Sequence, residues 1–342
     1  MSIIVAILLF VVGLGLVIYF AEKLVEGTVA TSLGFGISTF LISVIFLGFD
    51  PENLSTGAVG SFEGVAGIAL GSIIGAAMVA VGLAFGITAL VAPLEFEQAP
   101  KKVLSVPPLA ILLFVGLSLD GQLSRLDGII LLLGFVAAIL FLIYLSRQGL
   151  DIQPTGEVAE TIEAESQPQR WKSLGLLFLS LVGIIAGSEM LVRGSETIIV
   201  RLGLSEALFG MTILALLVSI EELARELPAA LRGRPEISYG NVAGSILAFF
   251  LFNAGIIALV RPVPVGPDVL RFYLPLCFVT LLVGTIFLWR KRVPRWGGAV
   301  LIGLYVVFLR SRLSGSGLDW HCRLRGRKPR GWSAAHTQGV TR

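Results

Sequence analysis

Two short acidic runs lie inside stretches that are otherwise apolar. Residues 48–54 read Gly-Phe-Asp50-Pro51-Glu52-Asn53-Leu, and residues 219–228 read Ser219-Ile-Glu221-Glu222-Leu-Ala-Arg225-Glu226-Leu-Pro228. A charged side chain near the middle of a membrane-spanning helix costs roughly 2.5–3.5 kcal/mol on insertion scales, so it marks a functional position by default. Glu52 and Glu222 lie 170 residues apart (222 − 52) and hold corresponding places in two similar halves of the chain. Carboxylates grouped with hydroxyl and carbonyl oxygens make a hard-oxygen cage, which suits Ca2+, Na+ or H+ rather than softer metals. Pro51 has no amide proton and would free a backbone carbonyl to face such an ion. Two close carboxylates also compete to stay ionised, which makes proton exchange natural there.

Each residue also has a plainer reading. Asp50 and Glu221 fit helix ends in contact with headgroups, and Glu226, six residues before Arg232, fits a cytoplasmic mouth. Arg225 is three or four residues from Glu222 and Glu221. It can pair with either one, or lie on the far face and reach water. The glycines of Gly71-Ser72-x-x-Gly75 and Gly240-Asn241-x-x-Gly244 form a small-xxx-small pattern that permits close helix packing. Ser72, Asn241 and Ser245 are the polar members of these blocks that could supply ligands, as could Ser219 beside the second acidic run.

The elements that carry these residues are membrane helices. Hydrophobic residues make up 55% of the 342 and charged residues 14%, with a mean hydropathy of +0.90. A soluble domain carries about 25% charged residues to coat its surface. Ten apolar stretches of spanning length can be marked, near 3–20, 36–58, 65–91, 103–119, 127–146, 173–190, 204–231, 240–260, 269–289 and 294–310. Alternating porin-type strands are not seen, so the expected fold is an all-α integral membrane protein. The first stretch lacks a basic start and a small-residue cleavage site, and it reads as a retained helix. Cys277 and Cys322 are too few for a disulfide framework or a metal cluster, and both histidines, His321 and His336, lie near the C-terminal end.

The chain repeats itself. Glu22-Lys-Leu-Val-Glu-Gly27 returns as Glu189-Met-Leu-Val-Arg-Gly194, and Gly71-Ser72-x-x-Gly75 with Gly86-Ile-Thr-Ala-Leu-Val-Ala-Pro93 returns as Gly240-Asn241-x-x-Gly244 with Gly255-Ile-Ile-Ala-Leu-Val-Arg-Pro262. Such a repeat in a membrane chain is the pattern of a secondary transporter with its site between the halves. Five spans per repeat is an odd number, so the halves should have inverted topology. With the N-terminus outside, twelve loop Lys and Arg residues fall inside against five outside, which favours that orientation. The expected layout is a first repeat over 1–147, an acidic cytoplasmic linker over 148–172, a second repeat over 173–310, and a basic, disordered tail over 311–342. The tail, with Arg323, Arg325, Arg327, Lys328 and Arg330, would lie outside, against the charge rule. It fits disorder or an altered reading-frame end better than lipid binding.

These paired blocks resemble the α-repeats of the calcium/cation antiporter superfamily, of the sodium/calcium exchanger type. Pro51-Glu52 and Ser219-Ile-Glu-Glu222 match the family's Gly-Thr-Ser-x-Pro-Glu-like stretch, and Gly240-Asn-Val-Ala-Gly-Ser245 matches the Gly-Asn-x-x-Gly-Ser-Asn-like stretch that follows. Gly71-Ser-Ile-Ile-Gly-Ala76 matches the latter less well. The resemblance covers residues 1–310. It implies ten helices in two inverted five-helix repeats and exchange of Ca2+ against Na+ or H+ by alternating access. Glu52 and Glu222 would be the central ligands, in the cell membrane, with cation substrates and membrane lipid as partners, no nucleic acid, an open oligomeric state and no resident cofactor.

The chain also departs from the family. The Thr-Ser pair before Glu52 is lost, and Glu221 replaces the proline before Glu222. Glu226 stands where a serine is usual, and the later polar ligand positions fall on Ala80 and Phe249. These losses leave the counter-ion open and keep a degenerate, non-transporting membrane protein in view. An intramembrane enzyme is disfavoured, because no span carries a histidine to serve as metal ligand or base.

Overall fold

The computed structural model describes residues 1–35, 50–96, 103–147, 162, 170–219, 221–232 and 235–310. The linker, apart from residue 162 and its last few residues, and the basic tail lie outside the described residues. The described chain is mostly helical: α1 Ile3–Gly34, α2 Pro51–Glu63, α3 Ala66–Gly75, α4 Met78–Val91, α5 Val106–Ser118, α6 Arg125–Arg147, α7 Arg170–Leu202, α8 Glu206–Val218, α9 Glu221–Leu231, α10 Pro235–Leu247, α11 Ala254–Val260, α12 Val269–Trp289 and α13 Arg295–Arg310. Among the described residues, five helices are long and apolar enough to cross a membrane. They are six if α3 and α4, bent by 42°, count as one span. The chain is a multi-pass membrane protein.

α1 and α7 are the longest helices, at 32 and 33 residues. At about 1.5 Å per residue each runs to nearly 50 Å, longer than the roughly 30 Å hydrocarbon layer. They pack against each other along their length. A Cβ on Gly13 would lie 2.5 Å from the Leu191 amide, one on Gly27 2.8 Å from the Leu177 amide, and one on Gly194 2.8 Å from Ala6 O. Rising numbers on α1 therefore meet falling numbers on α7, and the two helices run antiparallel. The echoed glycines Gly27 and Gly194 do the same work in each half, letting backbones touch where lipid tails offer helices no hydrophobic drive to associate.

The middle of the molecule is made by α3–α4 and by the span Gly240–Val260. The most apolar window of that span is 83% buried, against 22% for α1. Gly71 and Gly75 pack directly on Gly210, Met211 and Ala215 of α8, as a small-residue pattern requires. Gly240 does not: among the described residues no atom lies within 4 Å of a Cβ placed there. π-helical turns interrupt these inner helices at Gly71–Gly75, Met78–Ala84, Phe209–Leu214 and Ala248–Asn253, a distortion often found at functional sites.

Two pairs of two-residue strands stitch the halves together: β1 Leu94–Glu95 with β4 Arg292–Val293, and β2 Gln122–Leu123 with β3 Val263–Pro264, both antiparallel. Each joins a loop of the first half to a loop of the second.

Candidate ion site

The stretches 36–58 and 204–231 each look like one continuous span in the sequence, but the second is broken at its acidic run, and in the first, whose residues 36–49 lie outside the described residues, a helix starts at the acidic run. In the first, α2 begins at Pro51 with Asp50 as its N-cap. Proline suits the first helical position, where its missing N–H would have no partner anyway. Asp50 Oδ1 accepts from the Asn53 backbone amide at 2.8 Å, and Gly64 (φ 86°) ends the helix in the left-handed conformation that glycine adopts without strain. In the second, α8 ends at Ser219 (φ −104°, ψ 16°) and α9 starts at Glu221. The start and the break both fall immediately before the paired glutamates. Asp50-Pro51 is therefore a helix start and not a kink in mid-span.

Asp50, Glu52, Asn53, Ser219, Glu222 and Glu226 are all buried to within 1%. Asn53 ties the two together: its Nδ2 donates to Asp50 Oδ2 at 2.6 Å and to Ser219 Oγ at 2.9 Å. On the other side, Asn241 Nδ2 donates to Glu222 Oε2 at 2.6 Å and to Glu226 Oε1 at 3.1 Å, and the Ser245 hydroxyl donates to Glu222 Oε1 at 3.2 Å. One amide thus holds two buried carboxylates that are one helical turn apart. Donors to ionised carboxylates make the stronger hydrogen bonds, so these contacts fix where the carboxylates point.

The structure brings Asp50 to Ser219, and Glu222 to Glu226, Asn241 and Ser245. Asn241 and Ser245 act there as donors to carboxylates, so only their oxygens remain to face an ion. Ser72 is buried, and its hydroxyl donates to Ala69 O in its own helix at 2.9 Å; that oxygen also lies against Gly57 of α2. The side chains of Glu221 and Arg225 lie outside the described residues. Among the described residues no group of three or more His, Cys, Asp or Glu gathers to hold a metal. The acidic residues are instead shared between two hydrogen-bonded clusters, and amide and hydroxyl groups fill the gaps between them. Ala80 and Phe249, at the later ligand positions, are fully buried in the π-helical turns.

Sequence reasoning did not single out Asn53. The signal was present: an Asp followed by Pro and then by Asn at the third helical position is a helix-start pattern. Read as a start, it places Asn53 within reach of its own cap.

A family model described as "Sodium/calcium exchanger protein" matches residues 5–144 and 172–313. The chain belongs to the sodium/calcium exchanger family. It is 27% identical over 316 residues to the "Putative antiporter CaxA" of Alkalimonas amylolytica, a match covering 88% of this chain and 97% of that one. The solved structure of the sodium-calcium exchanger NCX_Mj soaked with Na+ and Sr2+ is similar at 25% identity and a TM-score of 0.58, over 91% of this chain and 99% of that one. The H+/Ca2+ exchanger CAX shares the fold, with a TM-score of 0.71 at 18% identity over 89% and 81% of the two chains. Exchangers are transporters, and the family match leaves out most of the basic tail.

Proposed function

We propose that the chain is a secondary active cation antiporter that moves Ca2+ against Na+ or H+ by alternating access. The reading rests above all on Asn53, whose amide joins the helix start beside Glu52 to the helix break beside Glu222 across the two halves of the chain. Glu52 and Glu222 are its central ligands, with Asp50, Glu226 and Ser219 around them and Asn241, Ser245, Ser72 and Glu221 as further members of the set. Carboxylates flanked by neutral oxygens suit a dehydrated hard cation.

The ten-helix inverted repeat, with boundaries at 147, 172 and 310, is part of the proposal. The antiparallel run of α1 and α7, which open the two halves, supports it. So do the two small sheets. A two-fold that exchanges the halves carries the loop after α4 onto the loop after α11, and the loop after α12 onto the loop after α5. It therefore turns the β1–β4 pair into the β3–β2 pair. The excess of Lys and Arg in one set of loops supports an N-terminus outside and a linker in the cytoplasm.

Proteoliposomes loaded with Ca2+ test the reading. A Na+ or pH gradient should drive Ca2+ movement, and Glu52→Gln and Glu222→Gln should each abolish it. Wild-type flux in both variants would overturn the ligand assignment, and no flux under either gradient would overturn the exchanger reading. The second outcome would favour a degenerate, non-transporting relative, the reading that apolar Ala80 and Phe249 support.

A further inference from the structure

The α5–α6 and α12–α13 turns hold the same place in the two halves and share one backbone frame. Gly121 (φ 87°) and Lys291 (φ 56°), 170 residues apart (291 − 121), are both left-handed. The Gly121 amide donates to Ser118 O at 3.1 Å, and the Lys291 amide donates to Leu288 O at 2.9 Å. Their carbonyls accept from the Val265 amide at 2.8 Å and the Phe96 amide at 3.0 Å, each beside its small sheet.

The side chains on these two frames are opposite in kind. Residues 119–127 carry Asp120, Arg125 and Asp127. Residues 289–297 read Trp289-Arg290-Lys291-Arg292-Val-Pro-Arg295-Trp296-Gly, with four cations and no acid. All four cations are exposed. Glu95 pairs with Arg292 at 3.1 Å, while among the described residues no carboxylate pairs with Arg290 or Arg295. Lys291 adopts a conformation that its counterpart meets with glycine, so a cation is kept there at a conformational cost.

The two tryptophans set the depth of the turn. Val279, Leu282, Ile286 and Trp289 form an exposed stripe at helical spacing on α12, and Trp296, Val300 and Val307 form one on α13. In a membrane protein such stripes face acyl chains. Each stripe ends at an indole on the side of the turn, and tryptophan settles at headgroup level. At the same two positions the first half has Leu119 and Leu126, which are also exposed. The cations between the indoles therefore lie at the depth of lipid phosphates.

We propose that the α12–α13 turn is a docking surface for anionic phospholipid headgroups. Arg290 and Arg295 bind the phosphates, and Trp289 and Trp296 sit at the boundary with the acyl chains. The planar fork of arginine matches phosphate oxygens two at a time. The counterpart turn, with two aspartates and one arginine, does not attract the same lipid. This surface is separate from the ion site and does not depend on the exchanger reading; only its leaflet, the cytoplasmic one, follows from the proposed orientation.

Thermal unfolding of the purified full chain in detergent tests it, with phosphatidylglycerol or phosphatidylcholine of the same acyl chains added. A ligand that binds only the folded state raises the midpoint. Phosphatidylglycerol should raise it in the wild type at concentrations where phosphatidylcholine does not. One arginine near an anionic headgroup is worth about fivefold in affinity, so Arg290→Gln with Arg295→Gln should require about 25-fold more phosphatidylglycerol for the same rise. Trp289→Leu with Trp296→Leu, which copies the first half, should also require more, whereas Arg125→Gln on the other turn should respond as the wild type does. Equal responses to the two lipids in the wild type overturn the proposal, and so does an undiminished response in either double variant. A loss in Arg125→Gln as large as that in the arginine pair overturns the choice of turn. The same rise with inorganic phosphate alone overturns lipid as the occupant.

Discussion

Asn53 donates one side-chain amide to both Asp50, at 2.6 Å, and Ser219, at 2.9 Å, and so links the start of α2 to the end of α8. Asp50 and Ser219 are 169 residues apart in the chain (219 − 50) and belong to different halves. Asp50 opens one helix and Ser219 closes another, each next to a paired glutamate. In the proposed alternating-access cycle, rocking of one repeat against the other would have to carry or break this bond.

The bond makes a coupling prediction. Asn53→Leu removes a hydrogen bond to a carboxylate and should cost about 1.5–3 kcal/mol, while Ser219→Ala should cost about 1 kcal/mol. Because the two residues share one contact, the double variant should lose less than the sum of the single losses. Thermal or denaturant unfolding of the four proteins in detergent measures this. Strictly additive losses would mean that the bond does not join the halves.

The membrane class, the mostly helical build and the doubled glycine blocks were legible in the sequence, because hydropathy and small-residue spacing are local signals. Glu52, Glu222 and Glu226 stood out for the same reason, as charges in apolar surroundings. Asn53 was not legible, because an amide is unremarkable in sequence and its partner Ser219 lies in the other half. The helix start at Asp50 and the break at Ser219 were hidden inside hydrophobic runs that satisfy a spanning window whether or not the helix is continuous. Gly240 shows the reverse error: it has the right spacing for close packing, but no described neighbour lies near it.

The antiparallel contact of α1 and α7 depends on glycine at specific places. Gly194→Val puts a branched side chain into the Ala6 and Phe10 backbone, and Gly13→Val does so at Leu191. Overpacking of this kind typically costs about 1–3 kcal/mol. Gly15 and Gly175, on the same two helices, have nothing within 4 Å of an added Cβ, so Gly15→Val and Gly175→Val should leave the unfolding midpoint nearly unchanged. Equal losses in the two groups would contradict the helix contact.

The inverted arrangement predicts opposite sides for the two small sheets. With the N-terminus outside, the β2–β3 pair faces outward and the β1–β4 pair faces the cytoplasm. In a background with Cys277→Ala and Cys322→Ser, a cysteine at Gln122 should react with an impermeant maleimide added to intact cells. One at Glu95, which pairs with Arg292 at 3.1 Å across the other sheet, should react only after the cells are opened. Labelling of both from one side would rule out the inverted repeat.

Asp50 has two possible duties, and substitution can separate them. As N-cap it accepts from the Asn53 backbone amide at 2.8 Å, and as a buried carboxylate it offers charge beside Glu52. Asparagine is about as good an N-cap as aspartate, whereas alanine gives up roughly 0.5–2 kcal/mol. Asp50→Asn should therefore keep the cap but give up the charged bond from Asn53, lowering the unfolding midpoint by less than Asp50→Ala, which loses both. The Asn side chain carries no charge and would present an amide to Asn53, so Ca2+ flux should fall in Asp50→Asn even though the helix is intact. Flux at the wild-type rate in Asp50→Asn would make Asp50 a cap only and leave the ion to Glu52, Glu222 and their neutral neighbours.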